Sequence, residues 1–250
     1  MKSRLLKWLA LAAGGAFFWA CAKAPSDAAP SAAASTSLAA TAGVTAPKPT
    51  FAPPTPKEYA ATAAERVGVL AAGTGIAVGQ PAPDVHAQEL SGKDVSLASL
   101  YAAGPILLAF YRGGWCPYCN MEIHSLSVAY PEFQKRGVTP VALSVDRPEA
   151  EATLKATYTI PFPVLSDPDA RAIEAFHLVK NVSAEELAKM RSFGIDLEAY
   201  SGRTHHEIAI PALFLIDRAG VVRWAHSDPD FKVRPSTAQI LAAIDAAKLH

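Results

Sequence analysis

The stretch "AFYRGGWCPYCNMEIHSL", residues 109–126, decides how the rest of the chain reads. An apolar run, "PILLAFY" (105–111), enters a Gly113-Gly114 bend and leaves as Cys116-Pro117-Tyr118-Cys119, followed by helix-forming residues. A short apolar run without alternation suits a strand buried on both faces. Pro117 fits the first turn of a helix, where its missing N–H has no intrahelical partner in any case. The order predicts strand, bend and helix, with Cys116 at the helix N-terminus.

Two cysteines three apart can be a metal half-site, a structural disulfide or a redox couple. A structural zinc takes four ligands. The remaining candidates, His205, His206 and Glu207, are consecutive and cannot all face one ion from a regular element. A disulfide closing so small a loop adds little chain-entropy stabilisation. Redox chemistry explains more. The thiolate is the reactive form, and the orphan N–H groups and dipole of a helix N-terminus favour it at Cys116. Cys119, one turn on, can reach back to resolve a mixed disulfide or a sulfenic acid. Arg112 is placed to favour the thiolate, and Trp115 either packs over the sulfur or caps the core edge. Neither a metal nor an organic cofactor is called for.

Outward from this stretch, "VTPVALSVD" (138–146) is a second buried strand and "RPEAEATLKATY" a helix opening on a proline. "FPVLSDPDARAIEAFHL" gives a short extended piece and a helix. "IAIPALFLIDRAGVVRWAHSD" reads as a hairpin turning at Arg218-Ala219-Gly220, and "PSTAQILAAIDAAKL" as a closing helix N-capped by Ser236 or Thr237. Pro131 marks a break after the Cys116 helix, and "EYAATAAERVGVLAAGTGI" predicts a short helix ending near Gly73. Residues 178–207 interrupt the strand–helix rhythm. They read as an insertion before the closing hairpin, with a helix from Ser183 and a Ser183/Glu186 capping box; it is either a lid beside the site or a surface decoration. The fold class is α/β, a central mixed sheet flanked by helices.

The first 21 residues, "MKSRLLKWLALAAGGAFFWAC", have a basic start and an apolar run short of the roughly 20 residues a membrane span needs. They resemble a bacterial lipoprotein signal (residues 1–20), whose cleavage leaves Cys21 as lipid anchor; an ordinary signal or an uncleaved anchor are the alternatives. Residues 21–57 are rich in Ala, Pro, Ser and Thr, too poor in large apolar groups to offset ordering entropy, and are expected to be a disordered tether. The folded domain is expected over 58–250. The expected location is the periplasm or cell envelope, tethered to a membrane surface. Of three cysteines, one sits at the signal boundary and two form the pair. The net charge is zero, with no basic stripe, which argues against a nucleic-acid partner.

From about Gly79 to Lys248 the chain resembles the thioredoxin-like superfamily, specifically its AhpC/TSA (peroxiredoxin-like) branch. "GQPAPDVHAQELSGKDVSLASL" is similar to that branch's opening strand and turn. "LSVDRPEA" and "FPVLSDPDARAIEAF" are similar to its middle, and "IPALFLIDRAGVVRWAH" to its closing hairpin. The resemblance implies a thioredoxin-like fold and a thiol peroxidase. Its peroxidatic frame, laid from Phe110, puts the attacking cysteine at Cys119 and Cys116 in the threonine position, with Arg112 in place of a proline. The arginine expected before the hairpin is replaced by Pro211, which instead resembles the cis-proline of thioredoxins. The Cys-Pro-Tyr-Cys tetrapeptide is also that of glutaredoxins. Helix-terminus physics favours Cys116 as attacker, and the frame favours Cys119.

The expected function is a thiol-dependent oxidoreductase reducing hydroperoxides through Cys116/Cys119 and recycled by a dithiol protein. The alternatives are a disulfide reductase of the cell envelope and a redox-inert binding module. Among the remaining side chains, Glu122 is a candidate proton carrier for the sulfur. His124 is expected at the surface and His177 half-buried, Asp146 and Asp217 are expected to cap turns, and Arg234 is a weaker candidate to face the site.

Overall fold

The computed structural model describes residues 62–247 and residue 249. The signal-like segment, Cys21 and the tether lie outside the described residues. The fold is built around the apolar run. Ile106–Phe110 forms β3, all five residues buried, after β1 (His86–Gln88), β2 (Asp94–Ser96) and α1 (Leu97–Ala103). β4 (Thr139–Ser144) runs parallel to it in the register Leu108 to Val141. β5 (Val164–Ser166) continues parallel beside β4. On the other side β8 (Ala212–Ile216) and β9 (Val222–Ser227) add antiparallel strands. The seven-stranded order is β2-β1-β5-β4-β3-β8-β9, a mixed sheet with the parallel strands at its centre.

Parallel central strands need cover on both faces. It comes from α2 (Pro117–Val128), α4 (Pro148–Tyr158), α5 (Arg171–Ala175) and α8 (Thr237–Ala247), with α3 (Tyr130–Lys135) restarting at Pro131. Phe110, Phe176 and Phe214 form an aromatic cluster in the core, with ring centroids 4.9 to 6.0 Å apart. Each such pair adds about 1 kcal/mol beyond its buried area. Ser236 caps α8: its Oγ accepts from Gln239 N–H, and Gln239 Oε1 accepts from Ser236 N–H. Asp217 Oδ1 accepts from Ala219 and Val221 N–H at 2.9 Å, fixing the turn between β8 and β9.

Three expectations fail. The helix ending near Gly73 is, within the described residues, a single 3-10 turn at Ala64–Arg66. Val67 and Gly68 follow it, a β-branched residue and a glycine with φ of 74°, and helical backbone does not continue. His177 is exposed, not half-buried, and carries φ of 54° just after α5. Pro211 is trans: no cis peptide bond occurs among the described residues. The physical reason lies in how Pro211 is used. The segment "IAIPALFLID" is one run in the sequence but two strands in space. Glu207–Ala209 is β7, paired with β6 (Val179–Asn181) in a separate small sheet. Ile210 N–H still bonds Leu178 O, whereas Ala212 already pairs with Phe110 and Ser227. A residue without an N–H fits the crossing between ladders in extended trans backbone.

The β6/β7 hairpin closes a segment holding α6 (Ala184–Ser192) and α7 (Leu197–Ser201), close to the 178–207 insertion expected from sequence. Its Ser183/Glu186 capping box is formed in both directions.

Candidate active site

Cys116 is the N-cap of α2, in extended backbone, with Pro117 in the first turn. The bend before it is built from both sides. Gly113 has φ of 141°, and a Cβ there would lie 2.3 Å from Trp115 Nε1 and 2.7 Å from Asp146 Oδ1, so only glycine fits. Gly114 N–H donates to Asp146 Oδ2 at 2.7 Å, and Asn120 Nδ2 donates to Gly114 O at 2.8 Å. The loop carrying the cysteine is therefore pinned to the end of β4 and to its own helix.

The two sulfurs are 2.8 Å apart, with the Cys119 thiol donating to Cys116. Neither residue exposes any surface (0%). Burial pushes the Cys116 thiol up, but the Cys119 S–H, Arg112 and Arg234 outweigh it and bring the group down to about 6. Cys119 is pushed well above the usual thiol range by burial and by donating to Cys116. The reduced pair is a thiolate on Cys116 stabilised by a thiol on Cys119. Helix capping, hydrogen bonding and charge all favour the thiolate on Cys116 over one on Cys119.

Two arginines frame the pair. The Arg112 guanidinium lies between the rings of Trp115 and Phe231, at 4.8 and 4.2 Å from their centroids. Arg234, 3% exposed, donates to Cys119 Sγ at 3.6 Å and faces Glu122 Oε2 at 3.3 Å. Burial raises the Glu122 carboxyl, and Arg234 pulls it back part of the way. The weak sequence candidate Arg234 thus supplies a guanidinium at the dithiol where Pro211 supplies none. It reaches the sulfur across 115 residues of sequence, and its only local signal was the segment "DPDFKVRP" after the hairpin.

Asp146 is not an exposed turn cap but a buried one, 1% exposed beneath the Gly113-Gly114 bend. Burial pushes its carboxyl up, the Gly114 N–H draws it back, and the Cys116 charge adds to the rise, to about 7. Behind it Ser144 Oγ donates to Glu151 at 2.5 Å, and Tyr111 O–H donates to the other oxygen of the same carboxyl. His124 is half-buried, its ring tilted against Tyr158 at 6.1 Å.

A cavity of about 490 Å³ opens onto Cys116. Arg112, Trp115, Pro117, Tyr118 and Phe231 form one side, and Val182, Met190, Phe193 and Ile195 of the insertion form the other. Pro211 does not line it. His205 Nε2 meets Pro168 O at 2.8 Å and His206 Nε2 meets Glu198 at 2.7 Å, so the two rings turn to different partners. Among the described residues no cluster of three metal-ligating side chains occurs.

A mixed sheet carrying a dithiol at the N-terminus of the helix after its central strand is a thioredoxin-like arrangement. The family model for the AhpC/TSA family matches residues 78–225, and the chain belongs to that family. Similar proteins include the thiol-disulfide oxidoreductase ResA of Geobacillus thermodenitrificans, 31% identical over 104 residues, which are 41% of this chain and 59% of ResA. The chain thus spans about six-tenths of that relative's length. Among solved structures, peroxidoxin BcpB from Mycobacterium tuberculosis superposes with a TM-score of 0.53 at 20% identity, covering 68% of this chain and 96% of that one. Reduced Prx3 from Vibrio vulnificus gives 0.56 at 20% identity, covering 68% and 99%. These structural likenesses carry the thioredoxin-like fold, as the sequence led us to expect.

Proposed function

We propose that this protein reduces hydroperoxides, with Cys116 attacking and Cys119 resolving. The observation that carries the reading is the enclosure of a low-pKa sulfur. Cys116 is fully buried beneath a cavity of about 490 Å³ that the insertion walls on one side, a volume suited to a small hydroperoxide rather than to a segment of a folded protein. The Cys116 thiolate attacks one peroxide oxygen; the O–O bond breaks, leaving Cys116 sulfenic acid and an alkoxide that takes a proton. The Cys119 sulfur then attacks Cys116, the S–O bond breaks, and hydroxide leaves with the thiol proton as water. Arg112 and Arg234 supply positive charge on either side of the pair as negative charge develops on the departing oxygen. A dithiol protein returns the couple to its reduced state by exchange. The apolar walls given by Val182, Met190, Ile195 and Phe231 favour a peroxide with an apolar body.

A second reading, reduction of disulfides, is favoured by the arrangement of the thiols themselves, an activated N-cap cysteine with its resolver one turn on. The ResA relative carries that activity in its name. The same experiment separates the two. Reduced protein is mixed with hydrogen peroxide, an alkyl hydroperoxide or an oxidised protein, and tryptophan fluorescence is followed in stopped flow. Peroxide oxidation far faster than that of a free thiol, lost in Cys116→Ser and trapped as sulfenic acid on Cys116 in Cys119→Ser, supports the first reading. Oxidation no faster than a free thiol rejects it in favour of disulfides. Oxidation that stays fast in Cys116→Ser would make Cys119 the nucleophile.

We also propose that the domain works in the cell envelope, held to the membrane by a lipid on Cys21. The signal-like start and the Ala/Pro tether support this. Metabolic labelling with a radioactive fatty acid, lost in Cys21→Ser, is the expected result; label retained in that variant rejects the anchor.

A further inference from the structure

The cavity over Cys116 opens at an apolar edge. Phe193, the residue that ends α6, is 70% exposed. Its position is fixed by a formed helix end: Phe193 and Ile195 N–H both donate to Met190 O at 3.0 Å. A large aromatic side chain left in water forfeits the free energy that burial would supply. Met190 and Ile195 carry the apolar surface inward from Phe193. Opposite them, Tyr118 and Phe231 meet edge to face with ring centroids 5.4 Å apart. Apolar surface thus leads from solvent toward the sulfur.

The charge around this edge is mainly positive. Arg112, Lys180 and Lys189 line the cavity with one carboxylate, Glu186, and Lys180 holds that carboxylate at 2.9 Å. Arg191 and Lys232 add exposed cations close to Phe193 and Phe231, and Glu185 and Asp230 are the exposed carboxylates on the same two segments. Exposed aromatic and apolar groups set among lysines and arginines suit the headgroup region of a bilayer with anionic lipids.

The chain also enters the domain on this side. The described residues begin at Thr62, whose Oγ1 donates to Arg234 O and whose carbonyl accepts from Gln239 Nε2 at 2.6 Å. Arg66 pairs with Asp228. The segment 228–239 that receives this start is the one that supplies Phe231 to the cavity wall. A lipid on Cys21, as proposed above, would therefore draw the cavity side of the domain toward the membrane.

We propose that the rim of the cavity seats on a phospholipid bilayer, and that the peroxide it admits is a hydroperoxide carried on an acyl chain of that bilayer. Docking stands on the rim itself, whereas the choice of substrate rests on the peroxidase reading. The part of the chain bearing the –OOH enters between Met190 and Phe231, and the headgroup stays among the cations outside. Cys116 takes the terminal oxygen as sulfenic acid while the O–O bond breaks. The acyl alkoxide takes a proton from water and remains in the lipid as an alcohol. The Cys119 sulfur then displaces the oxygen from Cys116, which leaves with the thiol proton as water, and the two sulfurs have given up two electrons.

The test is amide hydrogen exchange of the full-length protein carrying Cys21→Ser, with and without vesicles of phosphatidylcholine and phosphatidylglycerol. Exchange over 187–195 and 229–233 should slow on vesicles, while the turn at 134–137, at the opposite end of the sheet, stays as in solution. Phe193→Glu, at an exposed position, should abolish that protection. Attachment through residues 1–61 alone would leave the rim exchanging as in solution and overturns the proposal, as does protection that persists in Phe193→Glu. Protection of the rim by added thioredoxin and not by vesicles assigns the face to a protein partner and also overturns it. A second measurement reads the substrate: the rate with a phospholipid hydroperoxide in those vesicles divided by the rate with hydrogen peroxide. Phe193→Glu should lower this ratio by roughly tenfold, and an unchanged ratio overturns the substrate assignment. Failure of the peroxidase reading is distinguishable. Hydrogen peroxide would then react no faster than with a free thiol, the acyl hydroperoxide would fall with it, and the exchange data would still decide the docking.

Discussion

Removing the Cys119 thiol tests the electrostatics of the site most directly. Cys116 owes its position near 6 first to the Cys119 S–H, against a burial penalty, and then to Arg112 and Arg234. A hydrogen bond to a charged group is worth about 1.5–3 kcal/mol. At 1.36 kcal/mol per pKa unit, Cys119→Ala should raise the Cys116 pKa by roughly one to two units. At pH 7 the thiolate fraction would drop from about nine-tenths to between a half and a tenth. The assay is the rate of iodoacetamide alkylation against pH in a Cys21→Ser background, with ultraviolet thiolate absorbance as a second readout. We expect alkylation at pH 7 to slow by roughly two- to tenfold, with a matching shift in midpoint. Cys119→Ser keeps a hydroxyl donor and should stay closer to the parent, which separates the loss of the donor from the loss of packing. A midpoint that remains near 6 in Cys119→Ala would refute this account and assign the activation to the arginines.

Four other outcomes follow from the same geometry. Arg234→Met leaves the buried Glu122 without its cation and should destabilise the fold by about 3 kcal/mol in urea unfolding. Adding Glu122→Gln should recover most of that loss, and a double variant no better than the single one contradicts the pairing. Gly113→Ala should cost at least about 2 kcal/mol and disable the dithiol, because its φ and the nearby Trp115 and Asp146 atoms leave no room. Gly114→Ala meets its nearest atoms at 3.6 Å and should fold almost normally. Met190→Glu puts a charge in the cavity wall and should slow reaction with apolar hydroperoxides more than with hydrogen peroxide, measured as the ratio of the two rates. Finally, burial raises Asp146 to about 7 and Asp167 to about 6 from an unfolded value of 3.8. At these two carboxyls the native state binds more protons than the unfolded one, so the stability they contribute should fall as pH rises from about 4 to 7, whereas His226, held down to about 4, and Cys116, brought down to about 6, act with the opposite sign. The measurement is therefore the urea midpoint of Asp146→Asn relative to wild type: the variant should gain on the wild type over that range, and a difference that does not change with pH would contradict the assignment.

The sequence by itself determined the features whose physics is local. The unbroken apolar run of 106–110, bounded by Gly104-Pro105 and Gly113-Gly114, suits a strand covered on both faces, and it lies within the central parallel strands of the sheet. The glycines, Cys116 and Pro117 specify bend, N-cap and first turn through φ/ψ limits and a missing N–H, and the helix starts where they place it. The capping box of α6 follows from residues three apart, and of the two N-cap candidates for α8 the structure uses Ser236. The tertiary structure decided what depends on burial and on contacts distant in the chain. Helix-terminus physics and the family frame named different attacking cysteines. The three-dimensional arrangement favours Cys116, because Arg112, Arg234 and the Cys119 thiol converge on it. No spacing rule places Arg234 beside Cys119, or Asp146 beneath Gly114, since neither contact is made within one element. Pro211 shows the same limit from the other side. The dipeptide Ile210-Pro211 is compatible with either isomer, and the folded chain holds it trans where one ladder ends at Ile210 and another begins at Ala212. Charge at a buried sulfur is fixed by which groups folding brings within a few ångströms, where the lowered dielectric makes each of them count.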